Sequence, residues 1–282
     1  MSRFAFFLVV LVLFPTCAFA QFEYRSNWNH PPVTFKPYII KLMTPGGVNV
    51  LRDVPSDHLH HHGLMFAIKV DGVIFWEEFN PRDYGRQETV SISQTAAGTD
   101  GRNEQKLESA LTWSNGAGQP LVQEKRTIVA TQVGDATVLD WTSVFTLPPG
   151  KEKVLLGGHE YHGLGMRFLQ SMDNGRYFAA ATAEPEKGIH GLLTPCRWMA
   201  YTAEANGKPV TLALFDTKDN PRPMLAFTMG GAGNNEFAYL SATANLHREP
   251  ITLTKEKPVT FRYRIALWDG EKNAGDVEKV KE

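Results

Sequence analysis

Residues 259–268 read Val-Thr-Phe-Arg-Tyr-Arg-Ile-Ala-Leu-Trp, and this stretch decides the fold class. From Phe261 to Ile265, apolar and charged residues alternate at every position. A β-strand with this pattern places aromatic and aliphatic groups on one face and two guanidinium groups on the other. The pattern is typical of a half-buried antiparallel strand, so it predicts a sheet that is solvated on one side.

Further strand-like runs lie along the chain, bounded by Gly, Pro, Asn and Asp. The predicted strands cover residues 38–43, 64–70, 89–93, 107–113, 136–147, 211–215, 237–243 and 259–268. The pairs Asp71-Gly72 and Asn206-Gly207 predict two-residue hairpin turns. No segment keeps the i, i+3, i+4, i+7 apolar spacing over a helix length, so we expect an all-β fold, a sandwich or a barrel.

The first twenty residues have the pattern of a secretory signal peptide. Arg3 precedes an apolar run over residues 4–14, and Ala18-Phe19-Ala20 matches a cleavage site. The run is shorter than the roughly 20 residues that a membrane-spanning helix needs. We therefore predict a signal peptide over residues 1–20, one β-sandwich domain over residues 21–282, and a periplasmic or extracellular location.

Composition excludes several classes of function. Cleavage of the signal removes Cys17 and leaves Cys196 alone, so we expect no internal disulfide and no cysteine-based metal or redox site. The chain has 29 Lys and Arg against 30 Asp and Glu, without the basic excess that nucleic-acid binding needs. No later apolar run reaches membrane-span length. The sequence therefore predicts no nucleic-acid partner and no membrane association after cleavage.

Residues 57–62 read Asp-His-Leu-His-His-His and contain four of the nine histidines. If this segment is extended, His58, His60 and His62 share one face. Two of these imidazoles could then chelate a divalent metal such as zinc, with a further ligand from elsewhere. Without a metal, a histidine can act as general acid beside a carboxylate base. Asp57 would accept a hydrogen bond from one imidazole and fix its tautomer.

A second cluster, His159-Glu160-Tyr161-His162, lies between glycines that favour sharp turns. His159 is the candidate third metal ligand beside His58 and His60. Glu160 is the candidate catalytic carboxylate, with Glu77 and Glu78 also available, and His162 is a candidate substrate contact. The same histidines could instead be ordinary paired core residues.

Three more residues are candidate substrate contacts. Arg167 interrupts an apolar stretch, so its guanidinium needs either a carboxylate or a ligand as partner. Trp76, followed by two glutamates, could form a platform for stacking a sugar ring. Arg222 lies in the rigid turn Asn220-Pro221-Arg222-Pro223 and could reach substrate oxygens.

Residues 57–64, Asp-His-Leu-His-His-His-Gly-Leu, are followed by Val-Asp-Gly-Val-Ile-Phe-Trp at residues 70–76. Together they resemble the Asp-His-Pro-His-His-Arg-Gly-Leu and Asn-Gly-Val-Asp-Phe-Trp signature of a bacterial family labelled methane oxygenase PmoA. The resemblance extends through residues 163–167, 220–222 and 261–270. Leu59 replaces the family's proline and His62 its arginine, so the resemblance implies a site role for His58, His60 and His61 more than for His62.

A chain without membrane spans does not match the membrane-bound copper enzyme that this label denotes. The resemblance instead implies a large antiparallel β-sandwich, a supersandwich similar to galactose mutarotases, and a setting in glycoside breakdown. We therefore predict an exported carbohydrate-active enzyme, with hydrolase, lyase and epimerase all open. Its catalytic residues would be His58, His60, His61, Asp57 and Glu160, with or without a divalent metal. The alternative is a non-catalytic exported protein that binds a glycan or a metal.

Overall fold

Antiparallel strands form nearly all of the regular structure in the computed structural model, which describes residues 20–80, 82–99, 102–233 and 236–280. The predicted signal peptide lies outside this part of the chain, apart from Ala20. The strands are β1 (Phe22–Arg25), β2 (Tyr38–Leu42), β3 (Leu64–Ala67), β4 (Lys69–Val70), β5 (Val73–Ile74), β6 (Arg86–Thr99), β7 (Arg102–Ser114), β8 (Pro120–Val133), β9 (Ala136–Thr146), β10 (Lys153–Gly157), β11 (Gly163–Arg167), β12 (Arg176–Ala181), β13 (Glu186–Lys187), β14 (Leu192–Ala205), β15 (Lys208–Asp216), β16 (Leu225–Met229), β17 (Tyr239–Thr243), β18 (Ile251–Thr254) and β19 (Val259–Asp269). A 3-10 turn (Gln170–Met172) and the short helix α1 (Ala274–Glu278) complete the regular elements.

The long strand β14 divides the main sheet into two layers. Its residues 192–195 pair with β16, whereas residues 198–205 pair with β15. The first layer has the order β1-β2-β3-β11-β17-β16-β14, and the second has the order β14-β15-β19-β9-β8-β7-β6. Phe66 of β3 lies 5.8 and 5.5 Å, between ring centroids, from Phe145 and Phe261 of the second layer. The two layers therefore pack face to face around an apolar core, which confirms the predicted all-β antiparallel sandwich.

The alternation at residues 259–268 places this stretch in the middle of the second layer. β19 lies between β15 and β9, and Phe261, Tyr263 and Ile265 are buried in the core. Arg264 lies on the opposite face and pairs with Asp140 of β9, with Nε 2.7 Å from the carboxylate. Over residues 261–265 both faces have the environment that the alternation predicts, whereas Ala266 and Trp268 on the second face are buried in a separate apolar cluster.

Both predicted hairpin turns are confirmed. Asp71 and Gly72 join β4 to β5, and Asn206 and Gly207 join β14 to β15. All four residues have positive φ, between 48° and 81°. Two successive positive φ values match the twist of the flanking strands, which is why Asp-Gly and Asn-Gly pairs are preferred there.

An ion pair between Arg126 and Glu124 of β8 lies fully buried in the core. Nε and Nη2 of the guanidinium donate to the two carboxylate oxygens at 2.8 and 2.9 Å. The same carboxylate accepts hydrogen bonds from Trp113 Nε1 at 2.9 Å and Ser143 Oγ at 2.6 Å. Glu124 is therefore held by the neighbouring strands β7 and β9 as well as by its counter-charge.

The same guanidinium connects the second layer to the first. Nη1 donates to Tyr24 Oη of β1 and to the carbonyl of Pro37, each at 3.3 Å. Nη2 also donates to Gln87 Oε1 at 3.2 Å. Buried charges are tolerated when they are paired and their remaining groups are hydrogen-bonded. Arg126 meets this condition with partners from both layers.

No helix in the described part of the chain is long and apolar enough to cross a membrane.

The ion pair gives a first prediction. Arg126→Met leaves the Glu124 carboxylate buried without its counter-charge, so we expect the free energy of unfolding to fall by about 3–5 kcal/mol. Urea denaturation followed by tryptophan fluorescence measures this change. Because the double variant Arg126→Met/Glu124→Gln also removes the orphaned charge, it should recover part of the loss.

The matched control is Lys125→Met on the same strand, since Lys125 is exposed. We expect this substitution to change stability by no more than about 0.5 kcal/mol. If Arg126→Met is as stable as Lys125→Met, the buried pair does not hold the layers together.

Candidate functional site

A cavity of about 710 Å³ lies on the face of the first layer that points away from the second. Leu164, Ala242 and Ala226 share a row with Phe66 across β11, β17 and β16, on the core side. Side chains alternate along strands, so the next row, which includes Phe227, faces the opposite side. Residues 56–61 and 76–79, Tyr161, His190 and four residues in or beside β16 and β17 line the cavity. These four are Phe227, Met229, Phe237 and Tyr239.

The histidine-rich segment forms consecutive turns and is not extended. The amide of His58 donates to the Pro55 carbonyl at 3.0 Å, and the amide of His61 donates to the His58 carbonyl at 2.9 Å. Only His62 joins a short β-bridge, with Asp53. The face of alternating histidines that an extended segment would form is therefore absent, because turns do not have a two-residue repeat.

His58, His60 and His61 all line the cavity, whereas His62 does not. The ring centroids of His58 and His61 are 4.7 Å apart and stacked, and those of His60 and His61 are also 4.7 Å apart. The turn thus collects three imidazoles on one wall. These are the three residues that the family resemblance favours.

Arg167 lies behind this wall and binds Asp57, which lines the cavity. It is 1% exposed, and its Nη2 donates to Asp57 Oδ2 at 2.7 Å. Its guanidinium carbon lies 3.5 Å from the Phe237 ring centroid. Burial raises the pKa of Asp57, but Arg167 outweighs this effect and holds the pKa below its usual value. Of the two roles predicted for Arg167, the structure shows the ion pair, and the residue does not line the cavity.

A chain of buried and half-buried charged groups continues from Glu78, which lines the cavity. Lys36 Nζ donates to Glu78 Oε1 at 2.5 Å and to the Trp76 carbonyl at 2.6 Å. The other oxygen of Glu78 lies 3.1 Å from His62 Nε2, and His62 Nδ1 lies 2.8 Å from Asp53 Oδ1. Both oxygens of Glu78 therefore already have partners within the protein.

These contacts set the protonation of the chain. Burial raises the pKa of Glu78, but Lys36 and His62 outweigh it and bring the pKa to about 2. Burial lowers the pKa of His62, but hydrogen bonds to Asp53 and Glu78 raise it above the usual value. The site therefore favours an ionised Glu78 between Lys36 and His62.

The cavity histidines behave in the opposite way. Burial, together with the charges of Lys36 and His58, lowers the pKa of His60 to about 4. Burial and the neighbouring His60 also lower the pKa of His61 well below its usual range. Both imidazoles are consequently neutral at pH 7. A neutral imidazole keeps one N–H donor and one acceptor nitrogen, so either ring can hydrogen-bond to a ligand oxygen.

Glu77 is the second carboxylate in this wall, and it is only partly satisfied. Its Oε1 accepts a hydrogen bond from Tyr161 Oη at 3.2 Å. Its Oε2 is buried and has no hydrogen-bond partner among the described residues. Burial and the Glu77 charge raise the pKa of Tyr161, so its hydroxyl stays protonated and donates. Buried oxygens are normally hydrogen-bonded, so Oε2 is an unsatisfied acceptor in a residue that lines the cavity.

The second predicted cluster supports the cavity from one side. The Glu160 oxygens accept from the backbone amides of Ile189 and His190 at 2.9 and 2.7 Å, so this carboxylate holds the loop that brings His190 to the cavity. His162 is buried and stacks on Trp76 with ring centroids 5.1 Å apart. His159 contacts the rings of Tyr161 and His190 and does not line the cavity.

Two further predicted residues have contrasting positions. Trp76 is 1% exposed and lines the cavity, with Tyr161 and Tyr239 at 5.5 and 6.1 Å between ring centroids. Arg222 borders a separate groove with Lys257 and pairs with Glu249 at 3.5 Å. The structure therefore does not bring Arg222 to the histidine wall.

The predicted metal ligands His58, His60 and His159 are not assembled into one group. Within the residues that the structure describes, no set of three or more His, Cys, Asp or Glu side chains has an arrangement that could hold a metal ion.

Sequence reasoning missed a large part of the cavity. Phe227, Met229 and Tyr239 come from β16 and β17, and His190 comes from the loop before β14. Their local sequence has no feature that distinguishes a cavity strand from a core strand. β11 pairs with β17, which lies more than 50 residues later in the chain, and β17 pairs with β16. These pairings bring the strand residues to the site.

The chain matches a protein family whose function is unknown. The model of a family of unknown function, DUF6807, matches residues 10–282. No curated protein matches the chain.

Solved structures show distant similarity. GH36 α-galactosidase AgaA from Geobacillus stearothermophilus gives a TM-score of 0.45 at 7% identity, over 79% of this chain and 32% of that one. The α-galactosidase AgaB of the same organism gives 0.43 at 8%, over 79% and 32%. A β-arabinopyranosidase gives 0.44 at 10%, over 89% and 38%. The chain spans about a third of the length of these proteins, and similarity this distant assigns it no activity.

The neutral histidines give a prediction about pH. His60, His61 and His162 have lowered pKa values in the folded state and take up protons in the unfolded state near their usual value of 6.5. The free energy of unfolding should therefore fall as the pH decreases from 6.5, by up to about 1.4 kcal/mol per pH unit for each such histidine. Urea denaturation at pH 6.5 and at about pH 5 measures the difference.

The other histidines with shifted pKa values do not oppose this trend. His159 and His247 also have lowered pKa values and add to the loss. The raised pKa of His62 gives stability that is fully present below 6.5, and the lowered pKa of Glu78 gives stability that is lost only below 4.5. His61→Asn removes one titrating ring and should reduce the loss between the two pH values. A wild-type protein that is equally stable at both would contradict the neutral state of these histidines.

Proposed function

We propose that this chain, which belongs to the DUF6807 family of unknown function, is an exported enzyme that binds a saccharide in the histidine-lined cavity and transfers a proton on it. Glu77 is the general base, and the neutral imidazole of His60 donates a hydrogen bond to a sugar oxygen. The observation that carries the proposal is the unpaired Glu77 Oε2 in the wall that also contains neutral His60.

The choice of Glu77 follows from the partners of the three candidate carboxylates. Both oxygens of Glu78 are occupied by Lys36 and His62. Both oxygens of Glu160 accept backbone amides. A general base needs an oxygen within hydrogen-bond reach of the substrate proton. Glu77 offers one, and the Tyr161 hydroxyl on its other oxygen fixes the orientation of the carboxylate.

His60 suits the role of hydrogen-bond donor better than the role of base. A pKa of about 4 makes its neutral ring a weak base at pH 7. The same neutral ring carries an N–H that can stabilise negative charge developing on a substrate oxygen, as neutral imidazoles do at other proton-transfer sites. His61 adds a second neutral ring against it. Hydrolysis, elimination and epimerisation at a sugar carbon all include such a step.

The walls of the cavity support a saccharide as ligand. Trp76, Tyr161, Phe227, Phe237 and Tyr239 provide aromatic surfaces. Aromatic rings beside a few directed polar groups are a common arrangement for ligands that combine C–H faces with hydroxyls. Asp57, held by Arg167, adds a carboxylate that can accept hydroxyl hydrogen bonds. The resemblance to the PmoA-labelled family, and the similarity to galactose mutarotases that it implies, remain predictions.

Binding and turnover can be tested separately. Methyl glycosides of glucose, galactose, xylose and arabinose are titrated by calorimetry, and each is incubated in D₂O and followed by NMR for proton exchange or product. Glu77→Gln should keep affinity within a few-fold and lose about 10²–10⁴-fold in turnover, the usual contribution of a general base. Glu152→Gln, in an exposed loop, is the control.

The outcomes separate the alternatives. Binding by the wild type without any turnover favours the non-catalytic glycan-binding protein. Wild-type turnover in Glu77→Gln contradicts the role of Glu77, and absence of binding by every glycoside contradicts the saccharide ligand. Loss of turnover after dialysis against EDTA would instead support the predicted divalent metal.

Export is tested at the N-terminus. Because residues 1–20 have the pattern of a cleavable signal, the secreted protein should begin at Gln21. Expression of the full chain in a bacterium, fractionation and N-terminal sequencing measure this directly. Recovery of an uncleaved chain in the cytoplasm would contradict the proposal.

A further inference from the structure

Two large apolar side chains stand exposed in the wall of the cavity. Leu59 is 62% exposed and Phe79 is 71% exposed, and both line the cavity. Isolated apolar residues on a surface need no explanation. Here, however, the two belong to different loops and line the same cavity.

Phe79 is placed next to the proposed chemistry. Its ring lies edge-to-face with His60, at 5.2 Å between centroids, and 6.0 Å from Tyr84. Leu59 is the residue before His60 in the same turn. The exposed apolar surface is therefore directly adjacent to the imidazole that faces the ligand.

The polar groups of the proposed chemistry are buried, whereas Leu59 and Phe79 are exposed. His60 and His61 are 8% and 6% exposed, and the unpaired Glu77 oxygen is buried. Other exposed residues of the lining are polar, namely Ser56, Asp57 and His190. A monosaccharide bound at the buried groups has no apolar substituent to cover Leu59 and Phe79. A ligand with an apolar group beyond the sugar would bury them, which is favourable in proportion to the apolar area covered.

We infer that the substrate is a glycoside with an apolar aglycone, aryl or alkyl, which binds between Leu59 and Phe79 while the sugar occupies the polar interior. This inference rests on the proposed function, because it assigns the substrate class of the same cavity. It also places the bond between the sugar and the aglycone close to His60. An oligosaccharide chain, which is polar along its length, matches this opening less well.

The test compares matched ligand pairs. Phenyl and methyl glycosides of the same four sugars, glucose, galactose, xylose and arabinose, are titrated against the wild-type protein by calorimetry. We expect the phenyl glycoside of the bound sugar to bind at least tenfold more tightly than its methyl counterpart. Phe79→Ser and Leu59→Ser should each remove most of this difference and leave the affinity for the methyl glycoside unchanged. Both residues are exposed, so the variants should fold, which circular dichroism checks.

Leu155→Ser is the control, because Leu155 is 46% exposed on β10 and does not line the cavity. It should keep the wild-type preference. Equal affinity for phenyl and methyl glycosides would overturn this inference and leave the proposed function standing. A preference that survives both Phe79→Ser and Leu59→Ser would overturn it as well. Failure of every glycoside to bind would overturn the proposed function, and this inference with it.

Discussion

The buried pair of Arg126 and Glu124 is the interaction on which the rest of the structure depends. It joins strands within the second layer, and through Tyr24 and the Pro37 carbonyl it joins that layer to the first. Lys36, directly before Pro37, reaches the Trp76 carbonyl and Glu78 at the wall of the cavity. Arg126 in the core is thus connected to the candidate site through the adjacent residues Pro37 and Lys36. These side chains cannot easily move independently, because each buried polar group needs its partner.

The charged groups of the cavity wall differ in whether they have partners within the protein. Glu78 pairs with both Lys36 and His62, so its charge is compensated there. His60 and His61 have little exposure to water and are neutral near pH 7, because burial lowers their pKa values. Glu77 retains an unpaired oxygen among them. Residues of the same type, a few positions apart, therefore have different properties because their partners differ.

Much of the fold could be predicted from local sequence. Alternation in residues 259–268 identified a strand with one buried face, and the Asp71-Gly72 and Asn206-Gly207 turns were identified because two positive φ values are tolerated by few residue pairs. The histidine segment was harder to predict. Extended geometry would have selected His58, His60 and His62, but hydrogen bonds within the turn select His58, His60 and His61.

The sequence by itself determined the all-β class, the main strands and two hairpin turns, because these depend on residue type and on spacing within a few positions. Only the tertiary structure decided which carboxylate is unpaired, which histidines are neutral, and that Phe227, Met229 and Tyr239 join the site. These properties arise from burial and from partners brought together by strand pairing over long distances in the chain. Local spacing carries no information about such pairing, whereas burial and hydrogen bonding set the pKa and the availability of each group.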